Sequence, residues 1–221
     1  MSSKAESAMG PRDGGEVNNS RRRFLIGATS VMGTGAAVAA AIPFIEYLMP
    51  SDRAKAAGAP VEIDISKLKE GQMMTVQWRA KPVWVLHRTK AQLKTLPKMV
   101  PRLKDPYSHA AQQPPEMADA LSLKAGQRSV KPQYLVLVGI CTHLGCIPEY
   151  KPVPGSISSD WLGGYFCPCH GSRYDLSGRV IDGSPAPLNL PVPPYYYKKD
   201  TLLRVGELAN GAAGTWKPSI W

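Results

Sequence analysis

Cysteine is scarce in this chain, with four in 221 residues. A chain of that length can bury a core of its own, so it is not a miniprotein held together by disulfides. Phenylalanine is scarcer still, at three. Val, Ile, Tyr and Trp are well represented from residue 60 onward, beside 20 Gly and 21 Pro. That balance favours a loop-rich β protein over a helical one. A dense basic run is also missing, although the net charge is +10. Basic and acidic residues number six against five over 1–53, thirteen against six over 54–130, and eight against six over 131–221. The excess lies in the middle third, interleaved with Pro and apolar residues. It reads as a solvated basic face, and nucleic acid is not the expected partner.

Charge is absent altogether from Phe24 to Ile45. Extended to Met49, the stretch contains one acid, Glu46. A membrane-spanning helix needs about 20 such residues. Pro43 is expected to kink or end it. A cleaved signal peptide is the competing reading, with AAVAAA supplying small residues. The apolar run is longer than a signal core of about 7–15 residues, which favours an uncleaved anchor over 24–49. Arg21, Arg22 and Arg23 flank its start, which predicts a cytoplasmic tail over 1–23 and an exported remainder. SRRRFL at 20–25 also resembles the twin-arginine export signal, a route for folded proteins. Residues 50–60, ending in SDRAKAAGAP, read as a flexible hinge.

From 61 onward the pattern is that of strands. VEIDI (61–65), MMTVQW (73–78) and VWVLHRT (83–89) alternate apolar and polar residues. AQLKTLPKMV predicts a short helix stopped by Pro97, and the six prolines of 97–132 predict loop with one helical turn. YLVLVGI (134–140) predicts a buried strand that leads directly into CTHLGC (141–146). GGYF (163–166) leads in the same way into CPCHGS (167–172). SRYDLSGRVIDG (172–183) predicts a hairpin around Ser177-Gly178, and YYYKKDTLLRVGEL supplies the last strands. His87 and His109 have no Cys or His beside them and read as ordinary strand and loop residues.

The two short stretches hold every cysteine and two of the four histidines. Each pairs thiol with imidazole: Cys141-x-His143, then Cys167-x-x-His170. Each also has an extra cysteine, Cys146 or Cys169. Thiolate and imidazole suit a structural zinc ion. They equally suit a [2Fe–2S] cluster in which two His replace two Cys on one iron. A disulfide scaffold is the third reading. A zinc site gives no reason for a leftover cysteine in each loop. Outside the cytoplasm such a pair would oxidise.

CTHLGC and CPCHGS resemble the two boxes of the Rieske iron–sulfur proteins. The arrangement from SRRRFL to the C-terminus is similar to the Rieske subunits of bacterial ubiquinol–cytochrome c reductase, the cytochrome bc1 complex, most strongly over 60–90 and 131–200. The resemblance implies an all-β Rieske-type domain over 61–221, built of stacked antiparallel sheets on a single N-terminal transmembrane helix, with a small cluster-binding subdomain over about 134–190. It implies Cys141 and Cys167 on one iron of a [2Fe–2S] cluster, His143 and His170 on the other, and a Cys146–Cys169 disulfide. Leu144 would shield the cluster. Ser172 and Tyr174 would tune it through their hydroxyls, and GSPAP (183–187) would cover it. His170, with His143 beside it, would contact quinol.

The implied function is catalytic: oxidation of ubiquinol at the cytochrome b subunit, with proton release, and transfer of the electron to cytochrome c1. A homodimeric complex is implied, set in the bacterial inner membrane with the N-terminus cytoplasmic and the head periplasmic. Two other readings compete, a low-potential Rieske ferredoxin-like carrier and a zinc- or disulfide-stabilised binding domain.

Overall fold

The structure is a computed structural model that describes residues 18–51, 58–110, 112–212 and 218. Most of the expected tail (1–23) and hinge (50–60) lies outside the described residues. The chain divides into two units, Met1–Ser51 and Asp52–Trp221.

Among its described residues the first unit is one helix, α1 (Asn19–Leu48). Asn18 caps it, its side-chain oxygen accepting from the backbone N–H groups of Ser20 and Arg21. The helix takes in Arg21–Arg23 and runs through Pro43 for another turn. None of its residues is buried, so apolar side chains such as Phe24, Val31 and Phe44 face outward all round. Its 30 residues span about 45 Å, more than the roughly 30 Å of a bilayer core. A helix apolar on every face suits lipid.

The second unit is all-β apart from its connections. Among the described residues it has nine strands: β1 (Val61–Asp64), β2 (Met73–Trp78), β3 (Lys81–His87), β4 (Tyr134–Val138), β5 (Glu149–Lys151), β6 (Gly164–Phe166), β7 (Arg173–Asp175), β8 (Tyr195–Lys199) and β9 (Leu202–Val205). They form three antiparallel three-stranded sheets, ordered β1-β9-β8, β2-β3-β4 and β5-β6-β7. Val83–Leu86 and Leu135–Val138 are buried throughout, which is why β4 reads as an unbroken apolar run. Trp84 of β3 stacks on Tyr165 of β6, centroids 5.1 Å apart, and joins the second sheet to the small third one. The β2–β3 turn places Arg79 and Ala80 at positive φ without any glycine.

The link from β3 to β4 departs from expectation. Helix α2 (Lys90–Met99) begins earlier than AQLK and does not stop at Pro97. Thr89 and Gln92 close a capping box at its start. Pro97 falls in the last turn, where one hydrogen bond is lost while Leu96 and Met99 remain buried. Among the described residues three 3-10 turns follow, Val100–Arg102, Pro115–Met117 and Leu123–Ala125, where one helical turn was expected.

The solvated-face reading of the middle third also fails at two positions. Arg88 and Arg128 are buried, as is Arg179. Arg88 donates to the carbonyls of Gln127, Leu176 and Pro132 and to the hydroxyls of Ser129 and Ser177. Arg128 donates to the carbonyls of Ser177, Gly178 and Leu190. Such donors satisfy carbonyls that buried loops would otherwise leave unpaired.

Candidate metal centre

The β4–β5 and β6–β7 connections carry the two Cys/His stretches, and they share one backbone frame. In the first, Cys141 N–H donates to Cys146 O (2.7 Å) and Gly145 N–H donates back to Cys141 O (3.0 Å). In the second, Cys167 N–H donates to Ser172 O (2.8 Å) and Gly171 N–H donates back to Cys167 O (2.9 Å). The fifth residue of each frame is a glycine at positive φ, 84° at Gly145 and 75° at Gly171. Only glycine takes that conformation without cost. Each frame opens on a buried cysteine and turns its middle residues outward.

Cys146 and Cys169 form a disulfide that joins the two frames. The Sγ atoms of Cys146, Cys167 and Cys169 lie within 4.8 Å of one another. Two of these sulfurs are already bonded together, so the trio is not itself a ligand set. Cys141 and Cys167 remain free and buried. Burial, with the Cys141 thiol beside it, pushes the Cys167 thiol above its ordinary range. The His143 and His170 rings meet edge to face, centroids 4.8 Å apart. His143 is half-buried and His170 exposed. Nδ1 of His143 is buried without a hydrogen-bond partner. Two free thiols and an imidazole pair, one with an orphaned buried nitrogen, fit a Cys₂His₂ cluster. The disulfide accounts for the cysteines a plain zinc site leaves over. His87 and His109 lie apart from this set: His87 Nδ1 bonds Leu68 O, and His109 packs edge-on against Tyr107.

The hydroxyls are arranged as donors. Tyr174 Oη is 3.2 Å from Cys141 Sγ. Thr142 N–H donates to the same phenol oxygen, while Thr142 Oγ1 donates to Leu188 O. The phenol proton is thus left for the sulfur or for Thr142 Oγ1. Burial, and then the Cys141 sulfur, push the Tyr174 phenol far above its ordinary range, so it keeps that proton. Ser172 Oγ accepts from Ala186 N–H at 3.1 Å, which leaves its own proton free. Ala186 belongs to the 183–187 loop. Lys104 Nζ donates to the carbonyls of Ser184 (2.6 Å) and Ala186 (3.0 Å), gripping that loop from the other side. Leu144, at the tip of the first frame, is 70% exposed, with Ile147 exposed beside it.

Sequence reasoning missed Thr142, Lys104 and the buried arginines. Thr142 stands inside CTHLGC and could have been singled out as a hydroxyl beside a ligand candidate. Lys104 looks like any surface lysine.

The Rieske [2Fe-2S] domain model matches residues 117–194. A second model, described as the ubiquitinol-cytochrome C reductase Fe-S subunit TAT signal, matches 11–51. The ubiquinol-cytochrome c reductase iron-sulfur subunit of Allochromatium vinosum is 51% identical over 86% of this chain and 90% of its own length. Its counterpart from Bradyrhizobium diazoefficiens is 44% identical over 84% and 94%. The mitochondrial cytochrome b-c1 complex subunit Rieske of Theropithecus gelada is 36% identical over 86% of this chain and 62% of its own.

Proposed function

The chain belongs to the Rieske iron–sulfur subunits of ubiquinol–cytochrome c reductase, and we propose that it holds its [2Fe–2S] cluster through Cys141, Cys167, His143 and His170 and oxidises ubiquinol there. As a member of that family it is an iron–sulfur electron carrier of a cytochrome bc1 complex, membrane-anchored by α1. The finer reading has the quinol docked at cytochrome b, the electron passed to cytochrome c1, and the complex a dimer. The head is periplasmic and the N-terminus cytoplasmic. The observation that carries it is the pairing of two buried free thiols with two contacting imidazoles, one exposed.

Bound there, the cluster supplies a one-electron acceptor whose imidazole ligands remove negative charge and set its potential within about −150 to +300 mV. The rest falls to the chain. His170, exposed at the tip, accepts the quinol hydroxyl proton at its outer ring nitrogen, with His143 as its neighbour. Leu144 and Ile147 give the tip an apolar surface against a partner protein. Ser172 and Tyr174 donate toward the sulfurs and favour the reduced state.

Low-temperature EPR of the protein in membranes tests this, once with ascorbate and once with dithionite. A Rieske-type signal under ascorbate is expected. A signal under dithionite alone would move the protein to a low-potential, ferredoxin-like role. A colourless, metal-replete protein without a signal would return it to the zinc or disulfide reading.

A further inference from the structure

Among the described residues the interior holds three arginines, Arg88, Arg128 and Arg179, each no more than 1% exposed, against one equally buried carboxylate, Asp175. Arg179 takes up that carboxylate, with Nη2 at 2.6 Å and Nε at 2.8 Å from Oδ2. Its other bonds run to the carbonyls of Leu96 and Pro106. Arg88 and Arg128 bond only carbonyls and hydroxyls, and Arg128 Nε has no partner. Burial lowers both guanidiniums, Arg88 to about 10 and Arg128 to about 9, as expected of charge that the interior does not neutralise. Arg128 also sits at a φ of 53°, a strained position for a residue with a side chain.

These charges converge on one short segment. Asp175 directly follows Tyr174, whose hydroxyl lies 3.2 Å from Cys141 Sγ. Arg88 and Arg128 grip the carbonyls of Leu176, Ser177 and Gly178, the next residues along.

We propose that the unmatched buried charge of Arg88 and Arg128 tunes the redox centre, raising its midpoint potential by favouring the reduced state. Reduction adds one electron, and hence one negative charge, to the cluster and leaves the arginines unchanged. In the interior their field is screened much less by water and salt than that of a surface charge. The inference rests on the cluster lying at the four ligands proposed above.

The test is an EPR-monitored redox titration of the full chain in membranes. Ser129→Asp keeps all three arginines and sets a carboxylate where Ser129 Oγ now lies, 2.7 Å from Arg88 Nη2. Arg128→Gln removes one charge, and Asp175→Asn removes the opposing one. We expect the midpoint to fall in Ser129→Asp and Arg128→Gln and to rise in Asp175→Asn. The line shape should be unchanged and the shifts should persist in molar salt. If Arg128→Gln loses its cluster, Ser129→Asp decides. An unmoved midpoint in cluster-bearing variants, or shifts of one sign for removed positive and removed negative charge, would overturn the inference. A wild-type chain without a [2Fe–2S] signal would instead sink the ligand assignment.

Discussion

Tyr174 and Cys141 meet oxygen to sulfur at 3.2 Å, across the gap between β7 and the first ligand frame. If Cys141 ligates the cluster as proposed, a donor to its sulfur stabilises the electron-rich state. Tyr174→Phe deletes that donor, so the midpoint potential should fall. A hydrogen bond worth about 1 kcal/mol corresponds to roughly 40 mV in a one-electron couple. Ser172→Ala should act in the same direction, because Ser172 Oγ spends only its lone pair on Ala186 N–H. Potentiometric titration of both variants checks this, and potentials equal to wild type would refute it.

The Cys146–Cys169 disulfide closes a loop with a sequence separation of 23 residues. Loop-closure entropy for that length amounts to about 3 kcal/mol. Replacing both cysteines by Ser should lower the melting temperature and release the cluster at a lower temperature. Visible circular dichroism during a thermal scan reads both. A variant that keeps its cluster to the wild-type temperature would show that the bridge adds little.

Tyr165 is fully buried, and its hydroxyl has no partner. Burial first, then Tyr150, raises this phenol far above its ordinary range. In the unfolded chain it titrates near 10. Above that pH the folded state holds a proton the unfolded state has lost, so this contribution is complete below about pH 10 and is lost as pH rises. Tyr165→Phe keeps the stacking on Trp84 and deletes the orphaned hydroxyl. Its stability at pH 7 should match or exceed wild type by up to about 1 kcal/mol, and its alkaline decline should be shallower. Guanidine unfolding at pH 7, 9 and 11 compares the two, and an equally steep alkaline decline in both would count against the argument.

Gly164 packs backbone to backbone against β7. A Cβ at this position would lie 1.9 Å from the carbonyl oxygen of Tyr174. Main chain cannot swing aside as a side chain can, so Gly164→Ala must displace β6 or β7, and with it the strand that carries Tyr174. The cost should exceed about 3 kcal/mol, with poor cluster retention. Iron content and thermal melting of the purified variant measure it.

What could be read in advance follows from what each residue must do. CTHLGC and CPCHGS were legible as a candidate metal centre because thiols spaced closely with imidazoles suit metal binding, and YLVLV was legible because its core-facing positions are all apolar. Pro97 misled because its effect depends on position: near a helix end it removes a single bond, and Leu96 and Met99 hold the last turn in place. The Arg79-Ala80 turn has none of the glycine or asparagine that marks such turns, and it follows instead from the pairing of Trp78 with Lys81. Arg88 and Arg128 were illegible because a buried arginine and a surface arginine look alike in sequence. What distinguishes them is the carbonyls that surround them, and those come from residues up to 88 positions away.

The shared frame of the two loops bears on speed as well as on shape. Two hydrogen bonds and a glycine fix each loop, and a covalent bond ties one loop to the other. Side chains mounted on so constrained a base can shift little when a nearby charge changes. Polar groups already oriented for both charge states need little rearrangement at the moment of transfer. A small reorganisation energy lets an electron enter and leave with little driving force, which suits a carrier that must both take and give within each turnover.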